Sequence, residues 1–143
     1  QRHNHRTMNA LPPTLPIRTE CPPGACVCDR DALLQDPQAD ARVLLLTREE
    51  EKRLLQRLEQ ITSLADLRRL QDRMEQQLGI RLTIAPGPNE VRTLRGITIL
   101  VHEQRGLCRK TRQSIPAAIR QALERRPEIS YELLDEGGLF GAP

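Results

Sequence analysis

Hydrophobic residues recur every three or four positions in two consecutive segments, which is the spacing of one helix face. Thr47 and Glu50 have the spacing of a capping box at the start of the first segment. Ser63 precedes the second segment and Gly79 follows it, which predicts a helix between them. The apolar positions are Leu54, Leu55, Leu58 and Ile61 in the first helix, and Leu64, Leu67, Leu70, Met74 and Leu78 in the second.

A third helical pattern follows Ser114, which we expect to be its N-cap. Pro116 would then fall in the first turn, where proline is tolerated, and Pro127 would end the helix. The expected buried face consists of Ile115, Ala118, Ile119, Ala122 and Leu123.

The hydrophobic period changes to two after Gly79, which predicts β-strands. Residues 80–84 alternate in this way, and a turn is expected at 86–89 because of its prolines and glycine. Segments 91–94 and 97–101 flank Arg95-Gly96, which predicts either a tight hairpin or one long strand with a glycine bulge. The short apolar run 43–46 is expected to be a buried strand, and residues 129–133 an edge strand.

These elements predict an α+β fold with the order β-α-α-β-β-β-α, in which three helices pack on a small antiparallel sheet behind an extended N-terminal arm. A short helix over 32–34 is expected after a cap at Asp29 or Asp31. The expected organisation is a disordered arm at 1–20, a cysteine loop and short helix at 21–39, an α+β domain at 40–135 and a flexible tail at 136–143.

Composition limits the classes of protein that fit this chain of 143 residues. Tyr131 and Phe140 are the only aromatic residues, so the core must be aliphatic and the stacking platforms of single-strand nucleic-acid binders are missing. No apolar run reaches the length of a membrane-spanning helix or of a secretory signal, which predicts a cytoplasmic protein. The excess of Arg over Lys is typical of GC-rich coding and favours a bacterial source.

Four cysteines are the strongest chemical signal. Cys21, Cys26 and Cys28 lie within eight residues, and 79 residues separate Cys28 from Cys108. Four thiolates complete a tetrahedral zinc set, and Pro22-Pro23-Gly24 favours a turn that aims the first sulfurs at one point. We therefore predict a structural zinc site whose two halves meet on folding.

The loop Cys21-Pro-Pro-Gly-Ala-Cys-Val-Cys28 also resembles the cluster loop of plant-type ferredoxins, with its C-x4-C-x2-C spacing and later fourth cysteine. Here the second gap is one residue shorter. The resemblance covers these eight residues and implies an iron–sulfur cluster, hence an electron carrier or redox sensor. Disulfides and unligated thiols are the remaining alternatives.

Basic residues concentrate between positions 104 and 126, followed by an acidic segment over 128–136. A basic loop that leads into a helix favours anions, so nucleic-acid binding is an alternative function. A solvated face, or an internal partner for the acidic segment, explains the same charges. The candidate residues are Arg105, Arg109, Lys110, Arg112 and Arg120.

Catalysis has no positive support in the sequence. His102 is a candidate zinc ligand or a base for Cys108, but it fits equally a hydrogen-bonded residue at a strand end, and no third orienting residue is apparent. His3 and His5 lie in the predicted arm. We therefore expect a small non-enzymatic metal-binding protein that recognises a protein partner.

Overall fold

The computed structural model describes residues 15–24, 26–87 and 96–136. Within these residues it contains five α-helices, one 3-10 helix and two antiparallel strands, which confirms the α+β class. The sequence predicted three helices and a short helix before them, so the observed number of α-helices is one higher than predicted. In chain order the elements are α1 (Arg30–Gln35), the 3-10 helix (Arg42–Leu45), α2 (Arg48–Glu59), α3 (Leu64–Leu78), β1 (Leu82–Pro86), β2 (Ile97–Val101), α4 (Arg109–Arg125) and α5 (Pro127–Glu136).

The predicted caps of α2 and α3 are confirmed. The Thr47 hydroxyl accepts a hydrogen bond from the Glu50 amide at 3.2 Å, and the Ser63 hydroxyl accepts one from the Asp66 amide at 3.0 Å. Gly79 ends α3 in a left-handed conformation, with φ of 69°. Local sequence decides these boundaries because a cap satisfies amides that have no partner within the helix.

The apolar run at 43–46 is not a strand, and that prediction is wrong. Residues Arg42–Leu45 form a 3-10 helix in which Val43 and Leu44 are fully buried. The Leu44 amide donates to Ala41 and the Leu46 amide donates to Val43, so the backbone bonds locally. A short run of consecutive apolar residues indicates burial on all sides but does not select a backbone conformation.

Helix α4 begins earlier than predicted, at Arg109, and Cys108 occupies its N-cap position. Ser114 lies inside the helix, where its hydroxyl donates to the Lys110 carbonyl at 2.9 Å. Pro116 is therefore an interior residue and not a first-turn one. The Ser114 side chain therefore does not cap the helix. Its bond to residue i−4 is one that Ser and Thr side chains commonly form inside helices.

Residues 129–133 belong to helix α5, so the predicted edge strand is wrong. Pro127 begins this helix as well as following α4, which fits the tolerance of proline at a first helical position. Ile129 and Leu133 are completely buried, whereas Tyr131 is exposed. This pattern fits both alternation and the i, i+4 spacing of a helix, and the contacts of α5 with α3, α4 and β1 favour the helix.

The two strands form an antiparallel ladder in which Leu82 faces Val101 and Ile84 faces Ile99. These side chains are buried and their neighbours along each strand point away, so one sheet face lies on the core. Helices α4 and α5 contact β2 and β1, respectively. The prediction for 97–101 is confirmed, the strand predicted at 80–84 runs from Leu82 to Pro86, and the predicted strand 91–94 lies outside the described residues.

One aliphatic core joins all these elements, and the first described residues lie against it. Ile17 packs on the core, and the Arg18 amide donates to the Leu44 carbonyl at 2.7 Å. This bond attaches the N-terminal segment to the 3-10 helix. Among the described residues, no helix has the length and apolar character needed to cross a membrane.

Asp66 joins the end of α2 to the start of α3. Its buried carboxylate accepts hydrogen bonds from the Arg57 guanidinium at 2.6 Å and from the Thr62 amide at 3.1 Å. These bonds, with the Arg57 bond the largest cause, lower the pKa of Asp66. The ionised carboxylate therefore stabilises the fold at pH values above the pKa of the unfolded chain.

We predict that Asp66→Asn lowers the free energy of unfolding by about 1–2 kcal/mol at pH 7, because it removes charge-assisted bonds. Since the folded pKa is lowered, this difference should shrink as the pH falls through the folded pKa. Urea unfolding of both proteins at several pH values measures it. Asp72→Asn, at an exposed position of the same helix, is the control; an equal loss in both variants would contradict the assignment.

Candidate metal centre

The four cysteine sulfurs converge as predicted. The Sγ atoms of Cys21, Cys26, Cys28 and Cys108 all lie within 4.8 Å of one another. The Sγ atoms of Cys21 and Cys28 are 3.6 Å apart, and all four thiols are free. Because a disulfide requires sulfurs about 2.0 Å apart, this arrangement is a cluster of thiols, and it indicates a metal site.

Backbone conformation aims the first three sulfurs at one point. Gly24 and Asp29 have positive φ values of 103° and 58°, so the chain turns before Cys26 and again after Cys28. The Cys28 carbonyl then accepts a hydrogen bond from the Gly106 amide at 2.6 Å. This bond brings the cysteine loop against the loop that carries the fourth ligand.

Gly106 allows this second loop to lie close to the core. Its φ is 84°, and a Cβ atom at this position would lie only 2.5 Å from Leu33 and 2.7 Å from Val43. Any side chain would therefore be strained and would clash with packed core atoms. Cys108 follows two residues later, 1% exposed, at the N-cap of α4, where helix amides favour a negative sulfur.

The two halves of the site differ in access. Cys28 and Cys108 are buried, whereas Cys21 and Cys26 are half-buried. The side of the centre formed by Cys21 and Cys26 is therefore the one open to solvent.

Arg18 is a buried cation directed at the sulfurs. Its side chain is 7% exposed, and its guanidinium donates to the Gly106 carbonyl and, at 3.8 Å, to the Cys28 sulfur. Its Nε atom is buried and has no hydrogen-bond partner among the described residues. Burying a guanidinium without a carboxylate is costly, so this position favours a cluster that carries negative charge.

A second guanidinium lies on the outer side of the cluster. Arg30, the first residue of α1, donates to the Cys21 sulfur at 3.5 Å. Its side chain is about one-fifth exposed and also contacts the exposed carboxylate of Asp31 at 3.6 Å. The sulfur cluster thus has one arginine on each side.

Burial raises the pKa of the Cys108 thiol, although the positive charge of Arg18 opposes this effect. Burial is also the largest cause of the raised pKa of Cys21. At Cys26 burial acts in the same direction, but hydrogen bonds from the Cys28 amide and the other thiols outweigh it and lower the pKa. Metal binding at these sulfurs must therefore displace protons.

His102 lies outside the centre. Its Nε2 atom is 2.8 Å from the hydroxyl of Thr83, across the sheet. The metal-binding group found among the described residues contains the four cysteines and no histidine. His102 is therefore a hydrogen-bonded residue at the end of β2, which was one of the expected alternatives.

The basic residues of the nucleic-acid alternative are not a uniform cationic face. Arg105 pairs with Asp36 at 3.0 Å, Arg112 pairs with Glu103 at 2.7 Å, and Arg120 donates to the Ile97 carbonyl at 3.3 Å. Arg109 and Lys110 are exposed on the first turn of α4. Nucleic-acid binding by this group stays a prediction.

Sequence reasoning identified the four cysteines that converge but missed Arg18, Arg30 and Gly106. The cysteines are recognisable because their residue type is itself the signal. An arginine in a polar N-terminal segment carries no such signal, since its burial depends on the Leu44 and Gly106 contacts. Gly106 stands in the sequence only as one residue of the basic stretch 104–126, and nothing there indicates its contact with the core.

Comparison of the chain with known protein families, with curated proteins and with solved structures finds no match. The functional assignment therefore depends on the geometry and chemistry of the four-cysteine centre.

Proposed function

We propose that this protein binds one zinc ion through Cys21, Cys26, Cys28 and Cys108, that the ion has a structural role, and that the protein is non-enzymatic and recognises a protein partner. The observation that carries the proposal is the convergence of four sulfurs within 4.8 Å. Zinc is the usual ion of structural four-cysteine sites.

The spacing of the sulfurs favours a single ion over an iron–sulfur cluster. Four sulfurs at 2.3 Å from a tetrahedral zinc lie about 3.8 Å from one another. All four sulfurs lie within 4.8 Å of one another, and those of Cys21 and Cys28 are 3.6 Å apart, so every pair is near that value. In a cluster the cysteines bind different iron atoms joined by sulfide, so sulfurs on different irons lie farther apart.

Charge supports the same assignment. Zinc with four thiolates carries a net charge of −2, which Arg18 and Arg30 together neutralise. The buried guanidinium of Arg18 then has the anionic partner that neutral thiols would not supply.

Four protein ligands leave no coordination position for a substrate, which favours a structural role over a catalytic one. The ion would join the cysteine loop to the N-terminus of α4 and so close a loop that contains most of the domain. Because the site forms only in the folded chain, the binding free energy of zinc contributes to the stability of the fold.

We predict one zinc per chain in natively purified protein, and four thiols that are protected until the metal is removed. Cys108→Ser should lower zinc affinity by at least about 100-fold, because it removes a thiolate ligand. Elemental analysis, thiol counting and competition with a chromophoric chelator measure these results. Chelation should also lower the midpoint of thermal unfolding.

His102→Ala is the control, because His102 lies outside the sulfur group and should keep full zinc binding. Iron with inorganic sulfide and visible absorption, in protein purified without oxygen, would favour the cluster instead. Metal-free protein with four reactive thiols and an unchanged unfolding midpoint after zinc addition would refute the metal site.

We also predict that Arg18→Met lowers zinc affinity by about 10–100-fold, the range typical of residues that support metal ligands. The substitution removes the buried positive charge beside Cys28 and keeps an apolar stem of similar length. Zinc affinity is measured by chelator competition on folded protein.

The stability of the metal-free protein distinguishes this electrostatic role from simple packing. Without the ion, Arg18→Met should cost less stability than with it, because a buried cation facing neutral thiols is itself unfavourable. Arg109→Met removes an exposed charge next to Cys108 and is the control. Equal losses of stability with and without zinc would contradict the charge argument.

A further inference from the structure

A groove lies away from the four cysteines. It has a volume of about 800 Å³ and is formed by the 3-10 helix, α2, α3 and the residues Leu15 and Pro16. We call it the α2–α3 groove. Its apolar floor consists of Leu45, Leu46, Leu54, Leu70, Met74 and Leu78.

The floor is apolar but incompletely covered. Leu46, Leu70 and Met74 belong to the core, whereas Leu54 and Leu78 are only half-buried. Leu15, at the edge of the groove, is 51% exposed. A continuous apolar groove of this size is typical of a binding site on a soluble protein.

The walls have the length and periodicity of a helix-binding groove. On α2 the lining residues follow the positions i, i+3, i+4 and i+7, from Glu50 to Arg57. On α3 they run from Leu70 to Leu78 with the same spacing. At 1.5 Å per residue each wall is about 10–12 Å long, or two helical turns, which matches two turns of a helix laid between them.

The polar rim of the groove is mainly positive. Four arginines line it, and Glu50 is the only acidic lining residue. Two of them pair with acids outside the lining, Arg42 with Asp40 at 2.8 Å and Arg57 with Asp66 at 2.6 Å, so the charge open to a partner lies on Arg53 and Arg73. Arg73 is exposed and has no ion pair with any described residue. Arg53 pairs with Glu50 on the same rim. Because the Arg53 side chain is 71% exposed, replacing Glu50 by an acidic residue of a partner would cost little free energy. The arginines are Arg42, Arg53, Arg57 and Arg73.

We propose that the α2–α3 groove binds an amphipathic helix of a partner protein, with its apolar residues on the leucine floor and acidic residues along both flanks. The available arginines are Arg53 on α2 and Arg73 on α3, one on each of the two helices that form the walls. A helix that carries several acidic residues can pair with these separate arginines, whereas a small apolar ligand with one carboxylate can pair with only one of them. Arginine-rimmed apolar grooves also suit interface anchors.

The groove depends on the segment that the metal centre holds. Leu15 and Pro16 form part of one wall, and Arg18, two residues later, bonds to Leu44 and to the Cys28 sulfur. Zinc at the four cysteines would thus keep this wall in place. The proposal rests on the partner-recognition role proposed above and names its surface and the chemistry of its partner.

A pair of synthetic 14-residue amphipathic helices tests the proposal. Both carry leucine at helical i, i+3, i+4 and i+7 spacing, and one has glutamate on its flanks where the other has lysine. With 15N-labelled full-length protein, the glutamate peptide should shift amide signals of α2, α3 and residues 15–16, and the lysine peptide should bind at least about fivefold more weakly. Arg73→Glu should weaken the glutamate peptide by a similar factor.

Arg125→Glu, an exposed charge reversal outside the groove, is the matched control and should leave binding unchanged. Equal binding of both peptides, shifts confined to other surfaces or the absence of shifts would overturn the proposal. So would a concentration-dependent dimer that buries the groove and excludes the peptide. Zinc content is measured on the same natively purified sample. Peptide binding by protein that contains no zinc would contradict the metal assignment alone, whereas zinc-containing protein that does not bind the peptide would overturn the groove proposal alone.

Discussion

The contact between the Arg18 guanidinium and the Cys28 sulfur is the interaction on which the organisation of the N-terminal half depends. The same side chain bonds to Gly106, and its backbone bonds to Leu44, so one residue joins the cysteine loop, the loop before α4 and the 3-10 helix. A buried cation with sulfur and carbonyl acceptors alone is unfavourable unless the sulfurs are anionic. The proposed zinc ion would make the sulfurs anionic, so the ion would stabilise the arginine and the arginine would stabilise the thiolates.

Much of the fold could be predicted because local chemistry determines it. The caps at Thr47 and Ser63, the left-handed Gly79 and strand β2 follow from side-chain hydrogen bonds, backbone freedom and alternation within a few residues. The errors occur where several conformations fit one pattern. A fully buried apolar run at 43–46 and three alternating residues at 129–133 are compatible with helix or strand, and tertiary packing selects the helix in both places.

The candidate site could likewise be predicted only in part. Its four cysteines could be predicted from residue type, since four cysteines in two groups already indicate a candidate metal site. Their supporting residues could not, because Arg18 and Gly106 act through contacts across 88 and 78 positions of the chain, to Gly106 and Cys28, respectively. The early start of α4 has the same origin: Cys108 becomes its N-cap through the position of the loop, without a side-chain cap bond. The α2–α3 groove was not foreseen, since the stripes that predicted two core helices gave no sign that Leu54 and Leu78 stay partly uncovered.

The metal centre and the groove are connected through the segment 15–21, which has no helix or strand of its own. Such a segment cannot hold its position by backbone ladders, so it relies on Ile17 in the core and on the bonds of Arg18. The proposed ion at Cys21 would restrict the segment from one end, while the core restricts its middle. In a protein whose aliphatic core already joins five helices and a sheet, the role of such an ion would be to fix the part of the proposed binding surface that no helix or strand holds in place.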